Sequence, residues 1–535
     1  MSAPTILSQR LAALRQAGAA SGLDKITRGL EKESLRVTAS GQLAQTGHPS
    51  ALGSTLTHPA ITTDYSEALL EFITAPSSSI DALLLQLDEI HRFVYTAIGD
   101  ERLWVNSMPC QLSGDSHIPL AQYGSSNSGK MKTLYREGLG HRYGRLMQTI
   151  AGIHFNFSLD DSSWQLLQQH SGEQQSLQAY KTAQYLGGIR NFRRNFALLL
   201  YLFGAAPAVC RSFVNGRNHR LVPLGADQHT LHSPYATSLR MGDLGYQSDA
   251  QSSLVVCYND LDQYRQTLLA ALVEPYPAYE KIGLHDAGGN RLQLNTHLLQ
   301  IENEFYSPIR PKRTTLPGEA PVNALQARGV EYIEVRCLDL DPFAIGGIDR
   351  QTLRFLDIFV LHCLLAESPL ADAGEYRDNL ENQRRMVYRG RDPALTLRRN
   401  GDEVAFNGWA QPLLDELAVI AELLDQQCSG AEQQPYQQAL AAMQTRVDDS
   451  SLTPSAQILA QLRDRQQTFY QWAAARAVEQ RDYYGSKPLS PEQLQRLAAE
   501  ARASLEQQQA LEQATARDPS FETFLRDYYR QYQLG

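Results

Sequence analysis

No stretch of this chain is long and apolar enough to cross a bilayer. The most apolar run, Phe196 to Val209, is short and is interrupted by Gly204 and Pro207, so no transmembrane span is expected. Cysteine is scarce as well. Cys110, Cys210, Cys257, Cys337, Cys363 and Cys428 lie far apart in 535 residues, a usage that suits reduced thiols in a reducing compartment and leaves the disulfide state open. No CxxC pair, HExxH motif or Cys/His cluster is present, which argues against zinc. The lack of GxGxxG argues against a dinucleotide-binding, doubly wound sheet. Positive charge is in deficit, with 49 Lys and Arg against 58 Asp and Glu and a net charge of -9, so neither nucleic acid nor an anionic membrane is expected as a partner. There is no internal repeat, low-complexity stretch or long linker. One large domain over residues 1–535 is expected, with a helical C-terminal subregion over about 405–535.

What the chain does contain is acid placed where a strand would align it. Read as a strand, Lys25 to Val37 puts Glu31 and Glu33 on one face, because side chains alternate along an extended chain. Two neighbouring carboxylates repel unless a cation sits between them. From Gly152 to Leu159, Ile153, Phe155, Phe157 and Leu159 face a core while His154, Asn156 and Ser158 face away. In Glu331 to Asp339, Glu334 shares a face with Arg336, a metal-binding carboxylate two residues from a phosphate-binding guanidinium. The segment Thr63 to Thr74 is ambiguous: a helix aligns Asp64, Glu67 and Glu71, a strand aligns Glu67 with Glu71. Any one such segment is ordinary for a half-solvated strand, but Glu and Asp are poor strand formers, and four repeats of the pattern point to a polymetal, phosphate-handling site. Mostly oxygen ligands with a single His favour Mg²⁺.

Three further features are weaker. Gly124 to Lys130 satisfies GxxxxGK, yet Met131 stands where Ser or Thr should reach Mg²⁺ and no buried strand precedes it, so a flexible Ser/Gly loop is expected, one able to close on substrate, and not a P-loop. Arg310, Lys312 and Arg313, stiffened by Pro308 and Pro311, read as a constrained basic loop, either a solvated turn or a contact for phosphate groups. His229 and His232 lack a third ligand and read as a surface loop. Amphipathic helices are expected from Ser79 to Ile98, ending at Gly99, and from Ser490-Pro491 onward, while the first 23 residues, with Arg10 and Arg15 and no acid, read either as a transit peptide or as a short N-terminal helix. Strands separated by long helical insertions favour an α+β design, helices on the outer face of an antiparallel or mixed sheet.

Several of these stretches also carry a resemblance. Arg28-Gly-Leu-Glu-Lys-Glu33, Ile61 to Asp64, Glu71 to Thr74, Leu134-Tyr-Arg-Glu-Gly138, Met147 to His154, Pro234 to Arg240 and Glu331 to Arg336 together are similar to glutamate-cysteine ligase of the gamma-proteobacterial type. The likeness runs in order from about residue 20 to about residue 400 and is loose beyond.

That resemblance implies a glutamine synthetase-like catalytic fold, a curved and largely antiparallel sheet with helices on its outer face. It implies ATP-dependent joining of the gamma-carboxylate of L-glutamate to the amine of L-cysteine through a gamma-glutamyl phosphate, the first step of glutathione biosynthesis. By similarity Glu31, Glu33, Glu71, His154 and Glu334 form the shell for Mg²⁺, with Mn²⁺ as an alternative, and Asp64 and Glu67 lie beside it. Arg240 and Arg336 clamp the transferring phosphoryl group, and Asp64 partners the attacking amine. Tyr135 and Tyr246 hold the cysteine carboxylate, Leu139 and Ile150 its side chain, and Gln148 and Asn156 bind glutamate or order the metal waters. A cytoplasmic monomer is expected; whether glutathione inhibits it stays open. Two other readings also stay open: a ligase of the same superfamily with a different amine acceptor, and a non-catalytic metal- or nucleotide-binding relative.

Overall fold

The computed structural model describes residues 5–225, 228–245, 249–251, 254–428, 432–515 and 520–532. Thr27–Val37 forms β1, the long strand around which the main sheet assembles. Ile61–Thr63 (β2) and Leu69–Ile73 (β3) make a hairpin, and Arg102–Leu103 (β4) pairs with the end of β1. Ile153–Ser158 (β5) lies beside β1. Ala208–Cys210 (β6), Val222–Pro223 (β7) and Thr230–His232 (β8) form a separate three-stranded sheet, whereas Ile309–Lys312 (β9) and Tyr332–Leu338 (β10) complete the main one. Thr396–Arg399 (β11) and Asp402–Ala405 (β12) form a further hairpin. The main sheet runs β2-β3-β1-β5-β10-β9 with every neighbour antiparallel, which is the α+β design expected from the pattern.

Alternation explains why the sheet has two unlike faces. Leu30, Leu70, Phe72, Phe155, Phe157, Ile333 and Val335 point outward under helices and are all buried, each side chain contributing about 1.5–3 kcal/mol on burial. Helices Ile80–Tyr95, Leu177–Asn195 and Arg350–Leu365 lie in this outer layer. Arg28 and Lys32 share that buried face. Arg28 is held by a two-pronged ion pair to Asp357 of helix Arg350–Leu365, Nε and one Nη each 2.7 Å from a carboxylate oxygen, and the Tyr436 hydroxyl donates to the same carboxylate at 3.0 Å. Most of the buried apolar residues form one contiguous cluster from Leu11 to Tyr532.

Several local expectations hold and others need correction. The Thr5 hydroxyl caps an N-terminal helix at Ile6–Ala17. Ser79 caps the helix that follows it, but this ends at Tyr95, and Gly99, at φ +56°, closes the turn beyond. Ser490 and Gln493 exchange side-chain and backbone bonds at 2.9 and 3.2 Å, opening helix Pro491–Thr515 as expected. Thr63 to Thr74 is neither one helix nor one strand, because the chain reverses between β2 and β3. The GxxxxGK look-alike is a helix start, not a flexible loop: the Ser126 hydroxyl accepts from Gly129 N at 3.1 Å and opens helix Asn127–Tyr143. A Cβ at Gly129 would stand 2.3 Å from the Tyr123 carbonyl, so only glycine lets the helix begin against the preceding chain. Arg310 to Lys312 lies in a strand and not in a loop; β9 has one neighbour, and an edge strand tolerates Pro311. His232 is buried in β8, its Nδ1 3.0 Å from the Val222 carbonyl, while His229 is exposed. Cys110 and Cys210 form a disulfide with Cα atoms 5.3 Å apart, a pairing the sequence left open because 100 residues separate the two. Cys257, Cys337, Cys363 and Cys428 are free. Among the described residues no helix is long and apolar enough to cross a membrane.

Candidate active site

Strand register carries the acids to one place. Glu31 pairs across the sheet with His154, Glu33 with Glu71, and Glu334 with Asn156. These side chains therefore share the inner face, joined by Arg310 opposite Glu334 and by Lys312. His154 Nδ1 lies 3.0 Å from Glu31 and 3.7 Å from Glu334, and its Nε2 lies 3.9 Å from Glu33. Asn156 donates from Nδ2 to Glu31 at 2.9 Å, and Gly152 N donates to Glu33 at 2.6 Å. Glu31, His154 and Glu334 each offer a ligand atom, all three within 4.8 Å of one another.

The electrostatics are those of a site short of positive charge. Burial, then Glu31, Asp64 and Glu33, push the Glu71 carboxyl well above the ordinary range. Burial and Asp64 likewise raise Glu33. Burial also opposes ionisation of Glu334, but Lys312, Arg336 and His154 outweigh it and hold this carboxyl low. At Glu31, burial and Glu334 act upward, whereas the His154 bond and charge and Lys312 bring the net shift below normal. A divalent cation would relieve the crowding on Glu33 and Glu71. The set fits one in a second respect: Asn156 Oδ1 is buried with no hydrogen-bond partner.

Beside this face lies a cavity of about 130 Å³. Glu33, Asp64, Glu71 and His154 line it from the sheet, and Tyr135, Arg136 and Leu139 from helix Asn127–Tyr143. Met147, Gln148 and Ile150 close another side, and Asn303, Glu304 and Tyr306 a third. Arg240 and Arg336 complete the lining. Arg336 lies 3.4 Å from Glu334, and Arg240 donates to the Arg336 carbonyl at 3.0 Å. Gly152 makes room for this arginine, since a Cβ there would stand 2.0 Å from its Nη2.

Most residues singled out from the sequence thus meet at one site, with exceptions. Glu67 turns away: its two carboxylate oxygens accept the backbone N–H groups of His48 and Gln122, each at 2.6 Å. Tyr246 lies outside the described residues. Arg310, Lys312 and Arg313 line a second cavity of about 340 Å³ together with Tyr264, Pro321 and Tyr332. Arg310 is buried and donates to the carbonyls of Asn303 and Phe305, Lys312 Nζ lies 3.3 Å from Glu334, and Arg313 lies 3.7 Å from Glu331. Sequence reasoning overlooked Arg136, Asn303, Glu304 and Tyr306. Arg136, which donates to the Asp64 carbonyl and stacks 4.5 Å over the Tyr123 ring, carried a signal in its place beside Tyr135. Asn303 and Tyr306 sit in a segment without periodicity and carried none, although the Tyr306 hydroxyl accepts from Gln148 at 3.1 Å.

The family model of glutamate-cysteine ligase matches residues 11–386 of this chain. The chain belongs to the glutamate-cysteine ligase family. It is 54% identical to the glutamate-cysteine ligase of Alcanivorax borkumensis, over 98% of this chain and 99% of that one. To the glutamate-cysteine ligase of Pseudomonas putida it is 50% identical, over 95% of each chain. Among solved structures, the glutamate-cysteine ligase of Francisella tularensis in complex with AMP matches with a TM-score of 0.88 at 35% identity, over 95% of this chain and 98% of that one. A bifunctional glutathione synthetase from Pasteurella multocida matches with a TM-score of 0.69 at 26% identity, over 90% of this chain and 55% of its own length. Likeness to glutamate-cysteine ligases therefore extends through the C-terminal helices, where the motifs alone showed it only loosely.

Proposed function

We propose that this chain joins the gamma-carboxylate of L-glutamate to the amine of L-cysteine with ATP as co-substrate, the first step of glutathione biosynthesis. The observation that carries the proposal is the shared face on which Glu31, His154 and Glu334 converge beside a cavity lined by Arg240 and Arg336. A carboxylate acylates poorly until it is phosphorylated. The gamma-carboxylate oxygen attacks the terminal phosphorus of ATP, the bond to the bridging oxygen breaks, and ADP leaves. The cysteine amine then attacks the acyl carbon, phosphate departs with its electron pair, and the surplus amine proton passes to Asp64. Phosphoryl transfer is catalysed by positioning and charge neutralisation. Arg240 and Arg336 supply fixed positive charge for the transferring group. Glu31, His154 and Glu334, with Glu33 and Glu71 adjoining, would hold Mg²⁺, or Mn²⁺ in its place, and a cation there supplies further charge neutralisation to the phosphates. Tyr135 and Gln148 offer polar contacts to the amino acids, Leu139 and Ile150 apolar ones, and Tyr246 is assigned to cysteine by family likeness. The second cavity, with Lys312 between it and Glu334, is assigned to the nucleotide, and the AMP bound by the Francisella relative supports a nucleotide co-substrate.

ADP release by the purified protein tests this reading, with ATP and Mg²⁺ and either glutamate alone, glutamate plus cysteine, or glutamate plus ammonia or other amines, the product mass being recorded. Turnover that requires both glutamate and cysteine, with gamma-glutamylcysteine formed, is the expected result. Turnover with another amine keeps the acyl-phosphate chemistry and changes the acceptor, and no ADP under any condition overturns the proposal.

A further inference from the structure

The C-terminal helix Phe521–Arg530 and the residues just after it reach the segment that separates the two cavities. In that segment Glu302–Glu304 forms a single 3-10 turn. Asn303 lines both cavities, Glu304 lines the first and Glu302 the second. Such a turn has no sheet neighbour to fix it, so its place depends on side chains from elsewhere.

On the side of the first cavity the turn is tied to helix Asn127–Tyr143. Arg142 and the Tyr143 hydroxyl donate to Glu304 at 2.9 and 2.8 Å, and Gln300 donates to the Tyr135 carbonyl at 3.1 Å. On the opposite side two tyrosines hold it. The Tyr529 hydroxyl donates to the Gln300 carbonyl at 2.8 Å and accepts from Asn295 at 3.0 Å. The Tyr532 hydroxyl donates to the buried Glu302 carboxylate at 2.6 Å, and Val322 N is its other donor at 3.2 Å. Gln531 extends the same contact to the wall of the second cavity, accepting from Ala320 N at 2.9 Å and from Asn323 at 3.2 Å.

We propose that Tyr529 and Tyr532 are positioning residues that clamp the wall common to the two cavities, so that the C-terminal end of the chain sets the affinity for the amino acids and for the nucleotide together. The inference rests on the assignment of those cavities made above. Neither tyrosine lines either cavity; each acts through Gln300 or Glu302. Removing the Tyr532 hydroxyl leaves a buried carboxylate with one donor fewer, so the turn that carries Asn303 loses one anchor and keeps those from Arg310, Arg142 and Tyr143.

The test is steady-state kinetics and thermal melting of the full-length Tyr529→Phe and Tyr532→Phe enzymes beside wild type. Glu522→Gln is the control, since it loosens the same helix at its exposed ion pair to Arg291 without touching the turn. For either tyrosine variant, KM for ATP and for the amino acids is expected to rise in parallel by about three- to ten-fold, with kcat within about two-fold of wild type. Glu522→Gln is expected to lower the melting temperature and leave every KM unchanged. Should Tyr532→Phe fail to fold, Tyr529→Phe carries the test alone. Unchanged KM values in a folded tyrosine variant overturn the clamp, as does a rise equalled by the control. A wild-type enzyme without glutamate- and cysteine-dependent turnover overturns the cavity assignment instead.

Discussion

At Glu334 a buried carboxylate stays ionised because Lys312, Arg336 and His154 surround it. Glu334→Gln preserves shape and removes the charge, so Mg²⁺-dependent ADP formation should fall by at least about a hundred-fold with an unchanged circular dichroism spectrum; retained activity would show that its role has been misassigned. Lys32, flanked in sequence by Glu31 and Glu33, faces the opposite layer, where its Nζ meets Ser34 and, at 3.0 Å, His91. Burial pushes its ammonium down to about 7. An unfolded lysine keeps its proton to about pH 10.4, so between those values the unfolded chain binds more protons and stability rises with pH. Lys32→Met should therefore stabilise the protein by about 1–3 kcal/mol near pH 6, with the gain shrinking toward about pH 9 in parallel melting curves. A pH-independent difference would count against a buried charge. The parity of strand side chains made Glu31, Glu33, His154 and Glu334 legible in advance. It misled at Glu67, where the chain leaves the strand and reverses, and it was silent on Tyr306, because a loop has no period to read.

Elements of the outer layer are joined to the site-bearing strand by charge as well as by apolar contact. Arg28 of β1, Asp357 of helix Arg350–Leu365 and Tyr436 of helix Pro435–Asp448 form one buried polar knot, with 4% and 0% of the charged side chains exposed. Asp357→Ala leaves the guanidinium buried and unpaired, and is expected to cost about 3–5 kcal/mol in urea or thermal unfolding; a loss below about 1 kcal/mol would mean that water replaces the carboxylate. This knot was not legible, since its members lie 329 and 79 residues apart. Helices with clear caps, such as the one opened by Ser490, could be read locally. The strand identity of β9 could not, because proline and three basic residues mimic a turn until an edge position makes them acceptable.

For the molecule as a whole, antiparallel α+β organisation followed from alternation interrupted by long helical insertions, whereas strand order did not follow from any local pattern. The Cys110–Cys210 bridge likewise joins distant chain segments. Closing a loop of this length restrains the unfolded chain, so Cys110→Ser with Cys210→Ser, or reduction of the wild type, should lower stability by about 2–5 kcal/mol. Equal melting temperatures with and without reductant would show that the bridge contributes nothing. The order of the main sheet has a temporal side too. Glu31 and Glu33 are made before His154, which follows after more than a hundred residues, and Glu334 belongs to a strand made later still. Until β10 docks against β5, Glu31, His154 and Glu334 cannot meet, so the proposed site exists only once the sheet is complete.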